Sequence, residues 1–218
     1  MRQRLPIPPR HNINFIVHNM ENILGAILSQ IDDRSLQVIS NQANISPDKA
    51  KNALASAIPI LMNALARNSS TPDGASALQN AVARDHNGSL LDNLGSLLGK
   101  QEVVQDGAGI LKHILGDRRQ NVEQYIGKDA GLNSAAVGRI LEMAAPIVMG
   151  FLGKKSAGGA NTSVIGDLLN SYLNVEKTQS PQSQGVINQI LDRDNDGNVM
   201  DDIAELGMSF LGRMMKKR

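Results

Sequence analysis

Two stretches of this chain align without a gap: "ILGAILSQIDDRSLQVISNQANISPDKAKNALASAIPILMNALAR", residues 23–67, and "ILKHILGDRRQNVEQYIGKDAGLNSAAVGRILEMAAPIVMGFLGK", residues 110–154. The offset is 87 positions, and thirteen of the 45 aligned pairs are identical. Most identical pairs are apolar, such as Ile27 with Ile114 and Leu54 with Leu141. Similarity at a fixed offset indicates duplication of a structural unit. The sequence therefore predicts two copies of one unit.

Each copy is predicted to contain a helix, a tight turn and a second helix. In the first copy, Asn44 can end one helix in the left-handed conformation, Ser46 can cap the next, and Pro47 suits its first position. In the second copy, Gly131 and Asn133 occupy the equivalent positions. Different residues thus meet the same backbone requirement in both copies.

The helix after each turn contains a proline, Pro59 in "AIPIL" and Pro146 in "AAPIV". A proline within a helix removes a hydrogen bond, so its presence in both copies suggests a purposeful kink. The alternative is that each proline begins a new helix. Further apolar stripes at helical spacing lie in residues 89–99 and 163–173, and no useful length alternates with a strand period. The predicted fold class is all-α.

Composition limits the functional classes. Hydrophobic residues make up 41% of the 218, enough for a packed core, and a net charge of +1 gives no general affinity for nucleic acid or anionic membranes. The absence of cysteine excludes disulfides and thiolate chemistry. The apolar run 135–153 is interrupted by Arg139 and Glu142 and is not predicted to span a membrane. We expect a cytoplasmic protein.

Three features together resemble one known family: "MENILGAIL" from Met20, the "AIPIL" and "AAPIV" centres, and the C-terminal "DRDNDGNVMDDI". It is the YidB-like bacterial family, domain of unknown function 937. The resemblance covers roughly residues 20–212 and rests on apolar and glycine patterns. It implies a helical fold and no particular reaction. It also suggests that Met20 is the true start of the protein, and that residues 1–19 are either an extension or an artefact of the assigned start.

The C-terminal motif is the part of the sequence that most resembles a metal site. Asp192, Asp194 and Asp196 fit the first, third and fifth positions of a calcium-binding EF-hand loop, with a glycine at the sixth. The twelfth position, which normally supplies a bidentate acid, is Ile203. An acidic residue before position 203, or a water molecule, would have to complete the coordination shell of the calcium ion. The predicted calcium ligands are Asp192, Asp194, Asp196, Asn198, Asp201 and Asp202.

A simpler interpretation of this motif stays open. Gly197 can turn the chain in the left-handed region, while Asp201 and Asp202 stabilise the first turn of a following helix. That helix is predicted from Met200 to Met214, with an apolar face that includes Ile203, Leu206, Phe210, Leu211 and Met214.

Other candidate sites are weaker. The four histidines, His11, His18, His86 and His113, have no partner at metal-ligand spacing and are expected to be exposed or satisfied in the core. The helix-turn-helix spacing suggests a nucleic-acid-binding alternative through Lys49, Lys51 and Asn52. The equivalent positions in the second copy are Ala136, Gly138 and Arg139, and helix packing explains that pattern better.

The predicted organisation has four parts. They are a disordered extension at 1–19, a duplicated helical domain at 20–173 with units at about 20–99 and 107–173, a linker at 174–184, and an acidic loop with a helix at 185–218. We expect no enzymatic activity and no catalytic residues. We expect a structural or interaction-mediating role, through an unknown protein partner or self-association, with calcium as the possible bound cofactor.

Overall fold

The computed structural model describes residues 23–156, 162–179 and 181–191, and every regular element in these ranges is a helix. In chain order the helices are α1 (residues 23–28), α2 (Asp33–Ala43), α3 (Pro47–Asn68), α4 (Pro72–Asp85), α5 (Ser89–Asp92), α6 (Leu94–Leu97), α7 (Gln101–Ile114), α8 (Arg119–Ala130), α9 (Ser134–Ser156), α10 (Thr162–Gln179) and α11 (Pro181–Leu191). A short 3-10 helix, Gly116–Arg118, lies between α7 and α8. The all-α prediction is confirmed for this part of the chain.

The two long helices α3 and α9 pack against each other at the centre. Helix α2 contacts both of them, and α8 also contacts both. Both helices bury small and aliphatic side chains in the core, including Leu54 and Leu61 of α3 and Leu141 and Val148 of α9, each at most 1% exposed. The buried hydrophobic residues of the described helices form a single core.

Helix α9 is long and apolar enough to cross a membrane if only length and composition are considered. Its most apolar window is 83% buried inside the protein. Among the residues that the structure describes, it is the one helix that meets these criteria. Burial against α3 and α7 explains its apolar character.

The tight turns before α3 and α9 have the predicted geometry. Asn44 and Gly131 are left-handed, with φ of 54° and 63°. The Ser46 hydroxyl accepts a hydrogen bond from the amide of Lys49 at 3.4 Å. The Asn133 side-chain oxygen accepts one from the amide of Ala136 at 2.8 Å. The helix, turn and helix predicted in each copy are therefore confirmed, with the expected residues in the capping positions.

Pro59 and Pro146 lie inside α3 and α9, so the alternative that each begins a new helix is wrong. Pro146 has no amide hydrogen to donate to the carbonyl oxygen of Glu142 four residues earlier. Gly107 of α7 lies against this carbonyl, so closely that a Cβ at position 107 would overlap the oxygen. A weak Cα–H···O contact from the glycine can compensate part of the missing bond. Packing therefore makes the helical proline tolerable.

Helix α4 begins at Pro72, where the Thr71 hydroxyl accepts a hydrogen bond from the amide of Gly74 at 3.2 Å. Two segments differ from the sequence expectations. The stretch 89–99 forms two short helices, since Asn93 at φ −136° and ψ 35° interrupts it. Residues 174–179, predicted as linker, complete α10. Residues 181–184 of that linker belong to α11, whose Gln184 is buried and donates to the Asn63 side-chain oxygen at 2.6 Å.

Asp32 caps α2, and its stability contribution should depend on pH. Its Oδ1 accepts a hydrogen bond from the Ser35 amide at 2.8 Å, and hydrogen bonding from Ser35 lowers the pKa of this carboxyl below its ordinary 3.8. A lowered folded-state pKa stabilises the protein above the unfolded-state pKa, and the gain is lost as the pH falls through the folded-state value. We expect Asp32→Asn to lower the free energy of unfolding at pH 7 and to have progressively less effect as the pH falls below 3.8. Urea unfolding at several pH values measures this, and a pH-independent difference would contradict the stabilising role of the ionised Asp32 carboxylate.

Candidate functional site: a groove between α4 and α7

A cavity of about 370 Å³ lies between α4 and α7. One wall is a stripe of α4 at helical spacing, formed by Gly74, Ala77, Leu78 and Ala81. The other wall is a stripe of α7, formed by Gly109, Ile110, His113 and Ile114. Both helices pack on α3 and α9, and the space between them is open. We call this cavity the α4–α7 groove.

The α4–α7 groove has an apolar floor and an accessible mouth. Leu65 of α3 and Met149 of α9 form the floor and are 2% and 3% exposed. Ala77, Gly109 and His113 at the mouth are exposed. The groove is therefore a surface depression lined mainly by aliphatic side chains, which is the usual character of a binding site in a folded protein.

Two polar residues, Asn68 and His86, line the ends of the groove. Asn68 donates from Nδ2 to the carbonyl oxygens of Ala64 at 2.8 Å and Ile114 at 2.9 Å, which ties the end of α3 to the end of α7. His86 follows α4, and its Nδ1 lies 3.8 Å from Asp106 Oδ2 on α7. These contacts hold the walls in position.

The end of α4 is also held against α9. A Cβ at Gly153 would overlap the carbonyl oxygen of His86, so the two backbones approach closely at this point. Lys154 donates from Nζ to Asp92 at 2.9 Å in the same region. The end of α4 thus packs closely on α9, although Val82 is the one residue of α4 that is fully buried.

The six predicted calcium ligands, Asp192, Asp194, Asp196, Asn198, Asp201 and Asp202, lie outside the described residues, as do His11 and His18. The described chain reaches Leu191, the last residue of α11. Within the described ranges, no three His, Cys, Asp or Glu residues are grouped closely enough to hold a metal ion. The calcium site stays a prediction.

The residues proposed for the nucleic-acid-binding alternative are divided between surface and core. Lys49, Lys51 and Asn52 are exposed on the first turns of α3, but Lys49 Nζ donates to the Gly131 carbonyl oxygen at 3.3 Å. In the second copy, Ala136 and Gly138 are buried.

Arg139, the charged residue among these second-copy positions, is engaged in an ion-pair network. Its Nη1 lies 3.2 Å from Glu142 Oε2. Glu142 also contacts Arg119 at 2.9 Å, and Arg119 contacts Glu123 at 2.7 Å. These pairs join α8 to α9. The network thus explains the positive charge of Arg139 without a nucleic-acid ligand.

Sequence reasoning did not find the groove. In the sequence, His86 and His113 have no partner at metal-ligand spacing. Both line the groove because of the way in which α4 and α7 pack. The spacing of Ala77, Leu78 and Ala81 was an available helical signal. No local pattern could show that this stripe stays uncovered.

In the ranges that the structure describes, the chain is an all-helical domain in which two long apolar helices, α3 and α9, support a surface depression. A family described as "Bacterial protein of unknown function (DUF937)" matches residues 25–155, and the chain belongs to this family. The matched region extends from α1 to α9 and includes both groove walls. It ends before the C-terminal motif that also contributed to the resemblance noted above. No curated protein and no solved structure matches the chain.

Proposed function

We propose that this protein is a non-enzymatic interaction protein whose α4–α7 groove binds one amphipathic helix. The observation that carries this proposal is the combination of small residues on the walls, including Ala77, Ala81 and Gly109, with an aliphatic floor. An amphipathic helix binds such a groove by inserting large side chains spaced three, four and seven residues apart. The small wall residues leave room for those side chains.

The dimensions of the groove favour a helix. The α4 wall extends over the eight residues from Gly74 to Ala81, and the seven steps between them correspond to a helical rise of about 10.5 Å. This length accommodates two successive turns of a bound helix. The exposed mouth gives access without any rearrangement of α3 or α9.

Selection of helical peptides displayed on phage tests this function. We expect selected peptides to carry large apolar residues at helical spacing and to lose at least about tenfold in affinity, roughly 1.4 kcal/mol, in Ala77→Asp, because a buried unpaired carboxylate is unfavourable. Ala83→Asp is the matched control, since Ala83 is exposed on the same helix and does not line the groove. Equal loss in both variants, or unchanged binding in Ala77→Asp, would show that the peptides bind elsewhere.

We further propose that the acidic motif after α11 binds calcium. Asp192, Asp194 and Asp196 have the spacing of the first half of an EF-hand loop, and the described residues before them, up to Leu191, belong to α11, in the position of an entering helix. Titration calorimetry with calcium should give heat that disappears in Asp194→Asn. No heat at millimolar calcium would reject the site and favour the simple acidic turn.

We infer that the two helical units arose by duplication. Adding 87 to the residue numbers of the α2 end and the α3 start gives the α8 end and the α9 start, Ala130 and Ser134. The two left-handed turn residues, Asn44 and Gly131, have the same offset. These coincidences support the alignment made from the sequence.

A further inference from the structure

We propose that this protein forms a two-fold symmetric dimer through a second cavity, which opens where α1, α2 and α3 meet. The cavity has a volume of about 310 Å³ and is lined by Leu28, Ser29, Ile31, Asp33, Leu36, Lys51 and Leu54. We call it the α1–α3 depression. Among the described residues, none lines both this depression and the α4–α7 groove, so the inference goes beyond the proposed function and does not depend on it.

The α1–α3 depression is lined largely by aliphatic side chains that stay in contact with solvent. Leu54 of α3 is 1% exposed and forms the floor. Leu28, Ile31 and Leu36 also line the depression, and they are only half-buried although they pack against the core. Three large aliphatic side chains around one depression leave apolar surface in water, and a partner that covers this surface gains hydrophobic free energy.

The corresponding place in the second unit is occupied by an ion pair. The positions aligned with Leu36 and Lys51 are Glu123 and Gly138. The Glu123 carboxylate pairs with Arg119 at 2.7 Å, and both side chains lie over Gly138. A Cβ added to this glycine would meet Glu123 Oε1 at 3.0 Å and Arg119 Nη2 at 3.3 Å. The second unit thus covers this place with its own side chains, whereas in the described ranges the first unit leaves it open.

Two opposite charges line the α1–α3 depression. Asp33 is the first residue of α2, Lys51 lies in the second turn of α3, and both residues are exposed. Neither takes part in an ion pair with another described residue. In a two-fold symmetric interface each contact between unlike residues occurs twice. Asp33 of one copy therefore pairs with Lys51 of the other, and the same pair forms again across the axis.

A second copy of the chain is the partner that this pattern fits. A patch with one acidic and one basic residue beside apolar side chains is complementary to itself, whereas a partner with charge of a single sign would meet one like charge. The net charge of +1 produces little overall repulsion between two copies. Seven lining residues are fewer than the roughly 20–30 on each side of a standard interface. We therefore expect a dimer in equilibrium with the monomer.

Charge reversal tests this dimer. Sedimentation velocity of the wild type should show a dimer fraction that rises with protein concentration. We expect Asp33→Lys and Lys51→Asp each to weaken self-association at least about tenfold, because like charges then meet twice across the axis. An equimolar mixture of the two variants should associate again, since every pair across the axis has opposite signs once more. The protein that carries both substitutions should self-associate for the same reason.

Asp48→Lys is the matched control. Asp48 is also an exposed acidic residue in the first turn of a helix, and it does not line the depression. We expect this variant to self-associate like the wild type, and circular dichroism checks that each variant is folded.

Three results would overturn the inference. A wild-type protein that stays monomeric at millimolar concentration would show that the depression does not bind a second copy. Equal self-association of the wild type and both single variants would assign the dimer to another surface. Monomeric single variants that stay monomeric when mixed would show that Asp33 and Lys51 do not meet across the axis.

Discussion

Gly107→Ala should destabilise the protein by about 3 kcal/mol, at the upper end of the usual cost of overpacking. The new Cβ would overlap the carbonyl oxygen of Glu142, which is backbone and cannot rotate away. Helices α7 and α9 would have to separate, and their contact is the most extensive helix pairing in the described fold. Urea unfolding followed by circular dichroism measures the loss.

Gly109→Ala is the matched control on the same helix. Nothing lies within 4 Å of a Cβ at position 109, and the residue is exposed. We expect this variant to be stabilised by up to about 1 kcal/mol, because alanine is the better helix former. Equal stability of the Gly107→Ala and Gly109→Ala proteins would contradict the close approach of α7 to α9.

Truncating Leu54 or Leu141 to alanine should each reduce the free energy of unfolding by about 2–5 kcal/mol. Both side chains are at most 1% exposed, and they occupy equivalent positions in α3 and α9. Because the two helices share one core, either cavity should destabilise the whole described fold. Thermal or urea unfolding should therefore show one cooperative transition in each variant.

Val186→Ala provides the comparison for loss of apolar volume at the surface. Val186 is 37% exposed on α11, so its truncation should change stability by less than about 0.5 kcal/mol.

Two separated unfolding transitions in the Leu54→Ala protein, with the second at the wild-type midpoint, would show that the units fold independently.

The helical class and the two tight turns could be predicted because the determinants are local. Asn44 and Gly131 end their helices through backbone conformation, and Ser46 and Asn133 cap the next helices through short-range hydrogen bonds. The continuity of α9 through Pro146 could not be decided in this way. Both α3 and α9 continue through their prolines, and the close approach of Gly107 to the Glu142 carbonyl involves a residue of another helix.

The parts that sequence reasoning missed depend on tertiary packing. The Thr71 hydroxyl caps helix α4. Val82 is the one residue of α4 that is fully buried, so the helix offers only a weak apolar pattern. Residues 174–179 are polar, yet they continue α10, where the Thr178 hydroxyl donates back to the carbonyl oxygen of Val175 at 2.9 Å. The α4–α7 groove exists because two helices do not close on each other, and no single segment encodes that gap.

Native-state hydrogen exchange of the wild type, Leu54→Ala and Leu141→Ala proteins tests the shared core most directly. If α3 and α9 share one core, their most protected amides exchange through the same global unfolding. Either substitution should then lower the free energy of exchange by the same amount in both helices. If Leu54→Ala lowered protection in α2 and α3 while α9 kept its wild-type exchange rates, the two units would be separate cores, and the account of the fold would be wrong.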